Sequence, residues 1–164
     1  MAVRDILRLP DSRLREKCLD VNPGTLTQEI ARDLLDTMNS VPGVGVAAPQ
    51  IGCGYRVVLV DAGRNAKCEE HHGLLILVNP VISASSGSQV FKEGCLSVPQ
   101  YLARIKRAWS VTVEAVSPSG EPVHIEARGF EAVVLQHEID HLDGILFLDR
   151  VRDMKRDLFD RVTR

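Results

Sequence analysis

Apolar residues recur along this chain with two periods. Ile30, Leu34 and Met38 follow Thr27 at helical spacing. Thr25 or Thr27 can cap that helix, Glu29 suits its first turn, and Pro42-Gly43 stops it. Phe130, Val134, His137 and His141 fall at i, i+4, i+7 and i+11, so a second helix turns an apolar stripe that ends in histidines toward the core. Gly129 precedes this helix and Asp143-Gly144 ends it. Val151, Met154, Leu158 and Val162 predict a short amphipathic helix near the C-terminus. Strand patterns cover residues 55–60, residues 74–78 up to Asn79-Pro80, and a hairpin of residues 111–116 and 122–127 around Ser117-Pro118-Ser119-Gly120. His124 reads as an exposed residue of that hairpin. Residues 81–90 read as a loop or an edge, and Pro99 as the stop of a strand through Phe91. Residues 1–24 read as an irregular arm that Ile6, Leu7, Leu9 and Leu14 anchor to the core.

Composition narrows the class. The chain has 164 residues, 45% hydrophobic and 26% charged, with a net charge of -2. One domain over residues 1–164 is expected. Aromatics make up 4%, so Val, Leu and Ile must supply most of the core. The charge gives no basis for sequence-specific nucleic-acid binding. Residues 149–164 hold six Lys or Arg against four Asp, an excess that a solvated face explains. No apolar run approaches a membrane span and no secretory signal opens the chain, so a cytoplasmic protein without membrane contact is expected. Cys18, Cys53, Cys68 and Cys95 show no paired spacing. Reduced thiols are expected, with a thiolate ligand open among them.

The chemistry concentrates in Gln136-His137-Glu138-Ile139-Asp140-His141. Histidines four apart on a helix stand one turn above each other and can share a divalent metal, while Glu138 lies close enough to handle the protons of a water on it. Two buried histidines satisfied by hydrogen bonds would show the same spacing, and two histidines leave a metal site one protein ligand short. Cys95 in Glu93-Gly94-Cys95-Leu96-Ser97 reads either as a buried thiol or as that third ligand. Cys68, His71 and His72 form a second cluster, but adjacent side chains diverge in a loop, and adventitious affinity describes them better. Gly43-Val44-Gly45-Val46-Ala47-Ala48-Pro49-Gln50 is small and β-branched up to Gln50. It serves as a tight packing segment or as a backbone edge for an extended ligand.

The blocks Gly43-x-Gly45-x-Ala47-Ala48-x-Gln50, Glu93-Gly94-Cys95-Leu96-Ser97 and Gln136-His137-Glu138-x-Asp140-His141, in this order and spacing, resemble the peptide deformylase family. The resemblance runs from Leu9-Pro10-Asp11 to the last helix. Val46 departs from it, because the family usually has leucine there, a change of packing rather than chemistry. The resemblance implies an α+β fold. Antiparallel β-sheets surround a central metal-binding α-helix, with an N-terminal helix and a short C-terminal helix. It implies that Cys95, His137 and His141 bind one divalent metal with water as fourth ligand. Fe²⁺ is the common metal, and Zn²⁺, Ni²⁺ or Co²⁺ can replace it. The implied activity is hydrolysis of the N-formyl group of formylmethionyl nascent peptides. Glu138 carries the proton, and Gln50 and the Leu96 N–H stabilise the oxyanion. Val44-Gly45 offers an edge to the peptide, with Gly94 also against the substrate. Val44, Phe91 and Val133 are expected around the methionine side chain from their apolar character near the blocks. Glu93 and Arg107 are expected either as an ion pair supporting the site or as an ordinary surface contact. A transient ribosome contact by the last helix is left open.

Two rivals remain at this level. A zinc metallopeptidase also uses His-Glu-x-x-His, but an upstream cysteine in Glu-Gly-Cys-Leu-Ser argues against it. A non-catalytic peptide- or ribosome-binding relative with a structural metal should have lost Glu138 or Gln50, and this chain keeps both.

Overall fold

The computed structural model describes residues 2–161. The order of elements is α1 (Thr25–Asn39), β1 (Gly45–Ala47), β2 (Val57–Val60), β3 (Leu75–Ser86), β4 (Gln89–Cys95), β5 (Val98–Arg107), β6 (Ser110–Val116), β7 (Pro122–Arg128), α2 (Phe130–Leu142), α3 (Met154–Asp157) and β8 (Leu158–Asp160). Short 3-10 turns at Ser12–Arg15, Ala48–Ile51, Ala62–Arg64 and Phe147–Arg150 connect them. Two antiparallel sheets result, one with strand order β1-β2-β3-β6-β7 and one with order β4-β5-β8. This is the expected α+β arrangement around a central helix.

Side-chain alternation explains the layers. From β2, Val57 and Leu59 meet Ile30, Leu34 and Met38 of α1 on one face of the five-stranded sheet. Val58 and Val60 meet Val134, Leu135, Ile139 and Leu142 of α2 on the other. All four residues of β2 are therefore buried, which is why the strand reads as an unbroken apolar run. On its far side α2 looks toward the three-stranded sheet, where Cys95, Val98, Ala103 and Ile105 pack with Leu146 and Phe147. Flanked on both sides, α2 is buried over nearly its whole circumference, not only on the predicted stripe. Leu14 of the arm is fully buried, and the Leu7 and Leu9 N–H groups donate to the Gln50 and Ser97 carbonyls.

Several local expectations are corrected. Gly24, not a threonine, occupies the cap of α1, and Thr27 sits three residues in. Thr27 Oγ1 accepts from the Gly24 N–H at 2.8 Å, and its hydroxyl lies 2.7 Å from the Pro118 carbonyl. Glu29 falls beyond the first turn. The strand at residue 75 does not end at Asn79-Pro80. It continues to Ser86 through a register shift between Val78 and Val81 that accommodates a proline without a ladder donor. Asn79 adopts φ 51° there, and its side-chain amide bonds both backbone groups of Val21. Pro99 likewise lies inside β5. The expected C-terminal helix is only Met154–Asp157, after which the chain extends and Leu158–Asp160 pairs with Ala103, Leu102 and Tyr101 of β5. An open strand edge captured this segment in place of continued helix. Val162, placed on that helix by its spacing, lies outside the described residues.

Gly144 ends α2 at φ 72°, and a Cβ there would meet the Arg15 carbonyl oxygen at 2.4 Å. Gly144→Ala should therefore cost at least ~2 kcal/mol in chemical denaturation, since left-handed strain and a backbone clash add. Gly54→Ala, with nothing within 4 Å, should stay within about 0.5 kcal/mol.

Candidate active site

β4, the turn after it and α2 bring three donors together. Cys95 Sγ and one ring nitrogen each of His137 and His141 lie within 4.8 Å of one another, all buried, the one group of three such donors among the described residues. Cys95 Sγ is 3.4 Å from His141 Nε2. Ligands held ~2.0–2.3 Å from one tetrahedral ion are themselves ~3.5 Å apart, so this separation fits a shared metal. A thiol with two imidazoles is a donor set for divalent transition metals. Cys68, His71 and His72 go elsewhere. Cys68 Sγ contacts the Glu70 carbonyl, the His71 ring lies over Gly63, and His72 Nδ1 is 2.5 Å from Glu131 Oε1.

A buried charge network orients the first histidine. His137 Nδ1 lies 2.8 Å from Glu93 Oε1, and a carboxylate can only accept, so Nε2 is the nitrogen left for a metal. Arg107 donates to both Glu93 oxygens at 2.6 and 2.9 Å and to Asp140 Oδ2 at 2.9 Å. Arg150 closes on Asp140 at 2.5 and 2.7 Å. The Glu93–Arg107 pair is thus a buried structural pair and not a surface contact, with side chains 4% and 3% exposed. Asp140, taken from sequence only as a motif letter, proves to be its second anchor.

Charge balance follows burial. Burial would raise the Glu93 carboxyl, but hydrogen bonds from His137 and Arg107 outweigh it and hold it below its ordinary range. Burial would depress His137, yet Cys95 and Glu93 outweigh it and hold the ring well above the usual histidine value. His141 is held well below it by burial, with the positive charges of His137 and Arg107 adding. Burial pushes Glu138 up to about 7, opposed by His137 and assisted by Glu93. Glu138 Oε2 and His141 Nδ1 are the buried side-chain polar atoms without a hydrogen-bond partner among the described residues.

A cavity of about 300 Å³ opens onto this centre. Of the residues predicted from sequence, Val44, Gly45, Gln50, Phe91, Gly94, Cys95, Leu96, Val133, His137 and Glu138 line it, and the buried His141 does not. Phe130, Val134, Leu102 and Arg161 line it too and were not foreseen. Phe130 and Val134 carried a signal, because they belong to the stripe that ends in His137 and His141. The Phe91 and Phe130 rings pack at a 44° tilt, 5.1 Å between centroids, and form an apolar wall. Gln50 is 1% exposed. Its Oε1 accepts from the Ala47 N–H at 2.9 Å, which aims Nε2 at Ser97 Oγ (3.0 Å) and Cys95 Sγ (3.7 Å).

β1 is an edge strand. The Val44 carbonyl accepts from Asp61, so the next residue, Gly45, turns its N–H and C=O away from β2 toward the free edge. A Cβ on Gly45 would lie 2.9 Å from Glu138 Cγ and 3.0 Å from Val134 Cγ1. The small-residue segment thus makes a tight contact on α2 and leaves its backbone groups on an open edge.

Comparison with known proteins agrees with this geometry. The family model described as polypeptide deformylase matches residues 3–157. A peptide deformylase of Syntrophobacter fumaroxidans is 43% identical over 98% of this chain and 94% of its own length. A crystal structure of a peptide deformylase from Legionella pneumophila superposes with a TM-score of 0.85 at 42% identity, covering 94% of this chain and 89% of that one. A class I type b peptide deformylase from Acinetobacter baumannii, solved with Met-Ala-Ser bound, gives 0.84 at 32% identity over 92% and 99% of the two chains. The chain belongs to the peptide deformylase family.

Proposed function

We propose that this protein hydrolyses the N-formyl group from the N-terminal formylmethionine of newly made polypeptides and releases formate. One observation carries the reading. A buried Glu138 carboxylate, its Oε2 without a hydrogen-bond partner among the described residues, stands beside a Cys-His-His donor set at a cavity with an apolar wall and a free strand edge.

Cys95, His137 and His141 would hold one divalent metal, which supplies Lewis acidity that acidifies water and polarises the formyl carbonyl. Fe²⁺ is the metal we assign in the cell, with Zn²⁺, Ni²⁺ or Co²⁺ able to occupy the same donors. Glu138 Oε2 takes the proton of the attacking water and passes it to the departing amine, and a pKa of about 7 suits both directions near neutral pH. Gln50 Nε2, fixed through Ala47, and the Leu96 N–H face the oxygen on which charge develops. Val44, Phe91 and Val133, with Phe130 and Val134 beside them, enclose the methionine side chain and exclude water. The outward N–H and C=O of Gly45 pair with the extended peptide, and Gly94 leaves room on the opposite side. Substrates of this kind arise at the ribosome, so cytoplasmic residence and a transient ribosome contact belong to the reading. No described helix is long and apolar enough to cross a membrane.

The test is formate release from formyl-Met-Ala-Ser by protein purified anaerobically with its metal quantified. Release that tracks metal occupancy supports the reading, and none at full occupancy sinks it in favour of a binding role. Glu138→Ala should lower formate release by ~10²–10⁴-fold with metal still bound. Retained turnover would remove Glu138 from the proton path. Cys95→Ala should lose the metal, as read by elemental analysis after dialysis, and full occupancy would refute its assignment as a ligand.

A further inference from the structure

The cavity has a mouth as well as a floor, and the mouth is charged. Arg161 follows β8, and its N–H donates to the Gln100 carbonyl of β5 at 2.8 Å, which fixes its backbone against the second sheet. Its side chain lines the cavity. A side chain placed on Gly94 would meet Arg161 Nη1 at 3.7 Å, so the guanidinium overhangs the glycine next to Cys95. No carboxylate pairs with Arg161 among the described residues. Lys92 lines the same cavity, with Nζ 4.5 Å from the Phe159 ring centroid, and Arg104 stacks on that ring at 5.1 Å. The two cavity carboxylates cannot neutralise this rim. Glu93 is buried against Arg107 and His137, and Glu138 is buried at the floor.

We propose that Arg161 is a specificity-determining residue that favours peptides carrying an acidic side chain at one of the two positions after the methionine. The inference rests on the deformylase reading. With the formyl end at Cys95 and Glu138 and the methionine in its apolar pocket, the rest of the peptide leaves through the mouth that Arg161 overhangs. A guanidinium there without a carboxylate partner among the described residues attracts a carboxylate and repels an ammonium group. The attraction is that of a solvent-exposed pair, modest and screened by salt. Cleavage itself needs no such charge, so the residue acts on the choice among formylated chains.

The experiment compares kcat/KM for formyl-Met-Asp-Ala, formyl-Met-Ala-Asp and their lysine counterparts, all as C-terminal amides, with the metal-loaded enzyme at low and high salt. At low salt one of the aspartate peptides should exceed its lysine counterpart by about five-fold, falling toward parity at high salt. In Arg161→Gln the ratio should collapse to within about two-fold, and Arg161→Lys should keep most of it. Formate release from all four peptides without charge preference would overturn the proposal and leave the deformylase reading intact. A preference that survives Arg161→Gln but disappears in Lys92→Gln would overturn the assignment to Arg161. No formate from any peptide at full metal occupancy would overturn the deformylase reading, and this inference with it.

Discussion

The site depends on the buried network in which Arg107 bridges Glu93 and Asp140. A guanidinium 3% exposed is costly to desolvate, and each bridged carboxylate answers part of that cost. Such a network contributes more to geometry than to stability. Glu93 comes from β4, Arg107 from β5 and Asp140 from α2, so their pairing fixes the helix relative to the second sheet. The Glu93 oxygen nearest His137 then settles which imidazole nitrogen faces Cys95. Loss of one partner would strand a buried charge, with a typical cost of ~3–5 kcal/mol, and would free the ring to turn.

Around that network, burial sets the electrostatics. The five-stranded sheet and the three-stranded sheet close on α2 from opposite sides, and the same closure lifts Glu138 to about 7. Gly45 belongs to this closure. Its missing side chain lets β1 approach Glu138 within van der Waals distance while its polar groups stay on the free edge. Gln50 is tied in a similar way, with one end of its amide on the Ala47 backbone and the other on Ser97 and Cys95. A flexible side chain becomes a fixed donor because its acceptor end is already used.

Much of this was legible in the chain. Helical periodicity located both long helices, and alternation located the 110–128 hairpin, because those elements bury a regular face. The candidate donor set was legible as types and spacings: His137 and His141 by one helical turn, Cys95 by its block. The extent of β3, β5 and β8 was not. Asn79-Pro80 and Pro99 read as breaks in isolation, and only pairing with β6 and β4 shows that the strands tolerate them. Leu158 follows a helical period, yet a partner strand's unpaired edge decided its conformation.

By itself, then, the sequence determined which atoms could do chemistry: a thiol, two imidazoles, a carboxylate and an amide, set in three short blocks. Tertiary structure alone decided that donors 42 and 46 positions apart meet within 4.8 Å, that Arg107 is buried between two carboxylates, and that Arg161 lines the cavity. The reason is physical. Periodicity and residue type report on forces between neighbours along the chain, whereas desolvation, charge pairing and cavity shape arise between segments that only the fold brings together.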